Sequence, residues 1–349
     1  MRGQLNEINM LRALACIAVV LTHSITNYIV TFQPNLNGKD QYISYIRFIL
    51  LAATPIFILI SETLISRNYT SGVPKGFLLK RVRFILVPYA LVGLFYAAMN
   101  SGNGIEIFLK RSFEIIVLGN WHGFFVLVIF QFYILHQLLG RFLGRVRPWI
   151  PIISSFVLTY IHQYAFDLID EYRTWFTEVY PLSPRTFIIS WLFYFVAGFY
   201  IGRYYDRIFA FLGRHWWIPL AGTAISYWVM MQHVLDGTYQ IVTSDRYDIH
   251  LYAISVFLLL IVLFRKSMHL SPMLSKLSHF SYFIYLIHMA VLPAFQTVAL
   301  QFTDQFFFYV VMLSFLTVAV SVGWAILFYE TKLTQLFTGR IKLLETQYK

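Results

Sequence analysis

The sequence predicts an all-α fold, a polytopic membrane bundle of about ten transmembrane helices with both termini cytoplasmic. Three observations lead there. Hydrophobic residues make up 58% of the 349-residue chain and charged residues only 12%, about half the charged share of a soluble domain. The apolar residues gather into nearly uncharged runs of about 17–25 residues, the length that crosses a bilayer. Basic residues concentrate in alternate connecting loops.

The runs lie near residues 8–30, 42–64, 84–99, 121–139, 149–165, 187–203, 216–235, 249–264, 280–300 and 306–328. The first, from Ile8 to about Val30, is too long for a signal-peptide core and no small-residue cleavage site follows, so it reads as a retained helix. The third and fifth are short, which predicts tilt or extension into their flanks. Residues 105–119 are apolar but carry Glu106, Lys110, Arg111 and Glu114, the pattern of an amphipathic helix lying on the outer surface. No linker, low-complexity tract or internal repeat divides the chain, and residues 1–349 read as one integral membrane domain.

Loop charge sets the orientation. With a cytoplasmic N-terminus, one side collects Arg2, Arg12, Arg67, Lys75, Lys80, Arg81 and Arg83, then Arg141, Arg145, Arg147, Arg203, Arg207 and Arg214. Arg265, Lys266, Lys276, Lys332, Arg340, Lys342 and Lys349 complete 20 of the 27 basic residues. The other side holds Lys39, Lys110, Arg111, Arg173, Arg185 and Arg246, with Arg47 inside a helix. Such a bias is the positive-inside pattern. It also accounts for the net charge of +11 through contact with anionic lipid headgroups, so nucleic acid is not an expected partner. The single cysteine, Cys16, lies in the first run and supports no disulfide framework. The ten histidines show no paired ligand spacing, so no metal site is expected.

Polar residues inside membrane spans are costly and mark cavities or buried pairs. Arg12 and His23 are eleven residues apart; eleven steps of about 100° bring both side chains to one helix face, about 16 Å apart along the axis. Arg12 lies near the cytoplasmic interface and His23 well inside. Taken singly, Arg12 also reads as a snorkelling anchor and His23 as an interhelical hydrogen-bond partner. Ser61 and Glu62 end the second span, and Glu62 is placed to pair with Arg12 or with the basic loop after it. That loop holds Lys75, Lys80, Arg81 and Arg83, donors suited to phosphate oxygens and equally to plain interfacial anchoring. Trp121 and His122 open the fourth span on the outer side. Ser281, Tyr285 and His288 form a polar stripe at i, i+4 and i+7 of the ninth, which helix–helix hydrogen bonding also explains.

These segments resemble the membrane-bound acyltransferase 3 family over most of the chain. MLRALACIAVVLTH is similar to that family's first helix, with Arg12 and His23 at the positions of its Arg and His. TPIFILISETLI is similar to its second; Ser61 matches the usual Ser-Gly pair, whereas Glu62 departs from it. KRVRFILVPYAL resembles the basic motif before the third helix and supplies Arg81, Arg83 and Pro88. WHGFFVLVIFQFYIL resembles the His-Leu-Trp-Phe segment, with His122 matching and Phe124 where Trp is usual. SWLFYFVAGFYIGR and LSHFSYFIYLIH resemble later helices, the second carrying Ser281, Tyr285 and His288. YIRFILLAATPIFILIS, RVRFILVPYALVGLFY and YPLS at 180–183 resemble the branch that serves the biofilm exopolysaccharide poly-N-acetylglucosamine.

The resemblance implies a multi-pass protein of the bacterial cell membrane, an acyltransferase moving an acetyl- or succinyl-type group from acyl-CoA to a cell-surface polysaccharide. Acyl-CoA is then a cosubstrate, with no tightly bound cofactor. His23 would be the general base and Arg12 would orient the donor or steady developing charge. Arg81, Arg83 and Ser61 would contact the donor, with His122, Trp121, Ser281, Tyr285 and His288 on the acceptor side or in support. The expected partners are the bilayer, acyl-CoA, the polysaccharide and a membrane glycosyltransferase. The alternative is an export subunit for poly-N-acetylglucosamine, its polar faces and the 19% aromatic residues lining a glycan path.

Overall fold

The computed structural model describes residues 5–69, 72–102, 104–267, 271–329 and 335–339. Among them there is no strand. The basic residues Arg2, Lys332, Arg340, Lys342 and Lys349, and both chain ends, lie outside the described residues.

Each of the ten apolar runs is helical. In chain order the helices are α1 (Asn6–Phe32), α2 (Gln41–Asn68), α3 (Phe77–Met99), α4 (Ile105–Ile116), α5 (His122–Leu143), α6 (Trp149–Leu168) and α7 (Asp170–Val179). They continue as α8 (Ile188–Arg203), α9 (Tyr205–Arg214), α10 (Trp217–Leu235), α11 (His250–Ser267), α12 (Pro272–Phe302) and α13 (Phe306–Tyr329), with a last turn at Gln335–Thr338. Seven of the described helices are long and apolar enough to cross a membrane, or eight if α6 and α7, bent by 106°, form one broken span. The expectation of about ten spans therefore exceeds what length and apolarity support among the described residues. The difference is α10, whose Thr223, Ser226, Gln232 and His233 dilute its apolar run, and α11, which ends at the edge of the described residues.

The two short runs are extended, as expected. α3 starts at Phe77, and its residues Val82–Leu86 form a π-helical turn just before Pro88, which lacks the N–H that would bond four residues back. The wider turn leaves the Ile85 carbonyl to accept a hydrogen bond from the Tyr282 hydroxyl at 2.6 Å. α6 runs to Leu168 and breaks at an extended Ile169. α4 is amphipathic, with Ile105, Ile107, Leu109 and Phe113 exposed, the expected habit of an interfacial helix.

α1 packs on α2, α12 and α13; α2 in turn packs on α1, α5 and α8. The close approach of α2 and α8 depends on small residues. A Cβ at Gly202 would strike the Thr63 carbonyl, and one at Gly198 would stand 3.0 Å from the Glu62 Cβ. Small residues at such crossings let backbones meet where no hydrophobic force acts between helices. A polar cluster joins α1 to α12 and α13: Asn27 donates to Gln296 at 3.0 Å, Gln296 to Thr31 at 3.1 Å, and Tyr309 to Asn27 at 2.6 Å.

At the end opposite the basic loops, residues 236–249 form an irregular strap held by the buried Arg246. Its guanidinium donates to both oxygens of Asp248, at 2.7 and 2.6 Å, and to the carbonyls of Tyr239 and Ile241. Burial, with the Asp248 charge nearby, pushes the Tyr247 phenol up to about 12, so it stays a neutral donor.

Candidate functional site

Two cavities approach each other inside the bundle. The larger, about 540 Å³, lies at the basic end, where Arg12 of α1, Ser61 of α2, Arg81 of α3, Tyr133 of α5 and Ser281 and Tyr285 of α12 meet. It extends to Asn68 and Tyr69 at the end of α2. Among the described residues its lining holds two guanidinium groups and no carboxylate. Arg81 lies over the rings of Phe77 and Tyr133, at 4.8 and 5.1 Å. The Ser61 hydroxyl donates to the Tyr133 hydroxyl at 3.3 Å. Ser281 donates back to the Ser278 carbonyl at 2.8 Å, so its proton serves its own helix. His279 also lines the cavity and leaves Nε2 without a partner.

The smaller cavity, about 100 Å³, lies toward the strap and is lined by His23, His122, Arg185, Thr243, Ser244 and Tyr285, among others. Tyr285 lines both cavities. Its hydroxyl donates to the His122 carbonyl at 2.6 Å, and its ring meets Phe125 edge-on at 4.1 Å between centroids. His23 and His122 lie on either side of His288, with ring centroids 5.0 and 5.1 Å from it. His122 sets its Nε2 against the Leu286 carbonyl at 3.1 Å. His288 sets its Nδ1 against the Tyr285 carbonyl at 2.7 Å and leaves a buried Nε2 with no partner. The hydrogen-bonded nitrogen must carry a proton, because a carbonyl only accepts; in the neutral ring Nε2 of His288 is then a bare lone pair.

The rim of the small cavity is polar. Arg185 contacts Asp245 at 3.6 Å, donates to Thr243 at 3.1 Å and lies 4.5 Å over the Phe124 ring. Arg47 donates to Thr26 at 3.0 Å and keeps a buried Nε unpartnered. Trp121 donates to the Tyr89 hydroxyl at 3.1 Å and packs edge-on against His122 at 4.8 Å. Among the described residues no group of three or more His, Cys, Asp or Glu side chains could hold a metal ion.

A profile for an acyltransferase domain matches residues 5–328. The chain belongs to the acyltransferase 3 family. It is similar to a Bacillus subtilis (strain 168) protein provisionally named a membrane-bound acyltransferase, 33% identical over 292 residues, covering 82% of this chain and 80% of the relative. It is also similar to a Staphylococcus aureus (strain MSSA476) protein provisionally named a poly-beta-1,6-N-acetyl-D-glucosamine export protein, 34% identical over 294 residues and 82% of each chain. A Staphylococcus epidermidis protein of that name is 30% identical over 349 residues, 98% of this chain and 97% of the relative. No solved structure matches the chain. The protein is thus an acyltransferase of the membrane-bound kind.

The acyltransferase 3 motifs, read along the chain, meet in space. Arg12, Ser61, Arg81, Ser281 and Tyr285 share the larger cavity, while His23, His122 and Tyr285 share the smaller, with His288 against both histidines. Arg83 does not join them: it is exposed, its guanidinium 5.4 Å over the Phe84 ring and outside the cavity lining. The π-helical turn starts between these two arginines and sends them apart. Glu62 pairs with neither Arg12 nor the basic loop; its Oε1 lies 2.6 Å from Nδ1 of His136, both side chains buried. Tyr133, His136, Arg185 and the strap were missed in the sequence, since only packing brings them to motif residues. Glu62, a carboxylate in an apolar run, was the one signal that a buried partner had to exist.

Proposed function

We propose that this acyltransferase moves an acyl group from acyl-CoA, bound at the basic end, to a hydroxyl of a cell-surface polysaccharide approaching from the strap end. The observation that carries this reading is the pair of cavities sharing Tyr285, one with unpaired positive charge and the other with histidines. In a bacterial cell membrane the positive-inside bias would turn the basic end to the cytoplasm, where acyl-CoA is available. Arg12 makes no hydrogen bond or ion pair with any described residue and lines a cavity with no carboxylate among its described lining residues. Together with Arg81 it supplies the charge that a donor phosphate or a developing oxyanion requires.

His23 makes no hydrogen bond to a described residue and lines the smaller cavity, so its imidazole is available to substrate. As general base it takes the acceptor hydroxyl proton while that oxygen attacks the thioester carbonyl carbon. The carbon–sulfur bond then breaks, and the CoA thiolate leaves and takes up a proton. The bare Nε2 of His288, beside His23, steadies the imidazolium formed on the way. General base catalysis of this kind contributes about 10²–10⁴-fold. Ser61 and Arg81 act on the donor side and His122 on the acceptor side.

Export of poly-N-acetylglucosamine is a second reading, favoured by the names of the staphylococcal relatives. Against it stands the division of the interior into two cavities at Tyr285, whose ring packs on Phe57 and Phe125. The deciding experiment uses purified protein in liposomes, labelled acyl-CoA and an oligosaccharide acceptor. Acyl incorporation abolished by His23→Ala supports transfer. Normal incorporation by His23→Ala at normal abundance, or glycan crossing without acylation, overturns it.

A further inference from the structure

A third cavity, about 520 Å³, adjoins the Arg12 cavity at Tyr69, which lines both. It lies between Tyr69, residues 72–79 and the last turns of α5, and its described lining includes Lys75, His136, Gln137 and Arg141 but no carboxylate. Neither Lys75 nor Arg141 forms an ion pair with a described residue. Gly72 and Gly76 have φ of 115° and 76°, and a Cβ at Gly72 would stand 3.6 Å from Nε of Arg141. The loop backbone and this guanidinium thus lie side by side.

His136 is the telling residue. It is only 3% exposed, yet it lines this cavity. Its Nδ1 is held by Glu62 at 2.6 Å, which leaves Nε2 as the other ring nitrogen, on the side where a Gly140 Cβ would stand 3.5 Å away. A carboxyl group bonded to one ring nitrogen fixes the orientation of the other. Burying such a pair costs desolvation energy that plain helix packing does not require. A fixed imidazole, a lysine and an arginine around one cavity, with no carboxylate among its described lining residues, suit a phosphate ester.

We propose that this cavity binds the phosphates of the acyl donor's nucleotide head while the thioester arm lies in the Arg12 cavity. The proposal rests on the acyl-CoA reading above. Phosphate could come from an anionic lipid headgroup at the same interface, but the shared wall at Tyr69 favours a ligand that spans both cavities.

The test measures binding of CoA, dephospho-CoA and pantetheine to protein in phosphatidylcholine nanodiscs, for the natural chain and for Lys75→Ala/Arg141→Ala. Both substituted side chains are exposed, so folding is not at stake. The natural chain should prefer CoA to pantetheine, and the variant should lose at least about tenfold of that preference while its pantetheine affinity holds. The same preference in both proteins overturns the proposal and leaves the donor reading intact. Anionic phospholipid retained by the natural chain and lost from the variant, with the ligand preference unchanged, makes the cavity a headgroup site and also overturns it. Failure of both proteins to bind CoA overturns the donor reading as well.

Discussion

Oε1 of Glu62 and Nδ1 of His136 lie 2.6 Å apart, joining α2 to α5 at a depth where Glu62 is fully buried. Ser61 and Tyr133, hydrogen-bonded to each other and lining the Arg12 cavity, sit respectively one residue before Glu62 and three before His136. The pair therefore sets the spacing of the cavity wall. Glu62→Ala leaves a buried imidazole alone and should cost about 3–5 kcal/mol. A double-mutant cycle with Glu62→Leu and His136→Phe should show strong coupling in thermal unfolding in detergent; single losses that simply add would refute the pairing.

Gly202 bears on the same wall from α8. A methyl there would meet the Thr63 carbonyl, with the Arg67 backbone nitrogen 3.0 Å away. Backbone cannot give way as a side chain can, so Gly202→Ala should destabilise the fold by about 1–3 kcal/mol. Gly213→Ala is the control, since its Cβ would meet nothing within 4 Å. Equal melting temperatures for the two variants would contradict the close crossing of α2 and α8.

Arg12 should behave in the opposite way. Removing a charge with no hydrogen-bonded partner strands nothing, so Arg12→Gln should leave the melting temperature unchanged or raise it. Transfer should fall, with kcat/KM for acyl-CoA down by at least about tenfold. A clear loss of stability with donor kinetics intact would make Arg12 structural.

Tyr285→Phe keeps the ring that separates the cavities and removes the hydroxyl bonded to the His122 carbonyl. One such bond is worth about 0.5–1.5 kcal/mol, so turnover should fall by about two- to tenfold if its role is to hold His122. Tyr285→Ala should instead admit water between the cavities and raise acyl-CoA hydrolysis without acceptor. Unchanged hydrolysis in that variant would remove Tyr285 from the barrier.

The parts of the bundle legible in the sequence are those that repeat along one helix. The 3.6-residue period placed Arg12 and His23 on a common face, and the structure sets them in two cavities served by that face. Hydropathy located the helices but not their full extent: Lys80, Arg81 and Arg83 hide the start of α3 at Phe77, and Pro272 opens α12 well before its apolar run. Contacts between helices were out of reach. Glu62 and His136 are 74 residues apart, Ser61 and Tyr133 72, and spacing along the chain does not say which helices adjoin. The break at Ile169 escaped for another reason, since an extended Ile is an ordinary apolar residue in any hydropathy profile.

The aromatic layer around Tyr285 has an electrical consequence. Cavities on both sides thin the insulating part of the bundle to about one side chain, so much of the membrane voltage would fall across that layer. A full crossing is worth about 2.3 kcal/mol per elementary charge at 100 mV. In the proposed reaction the acyl group would be handed over by bond exchange, which requires no open ion path between the cavities. A septum of this kind would let a cell carry many copies of the enzyme without short-circuiting the gradient it lives on.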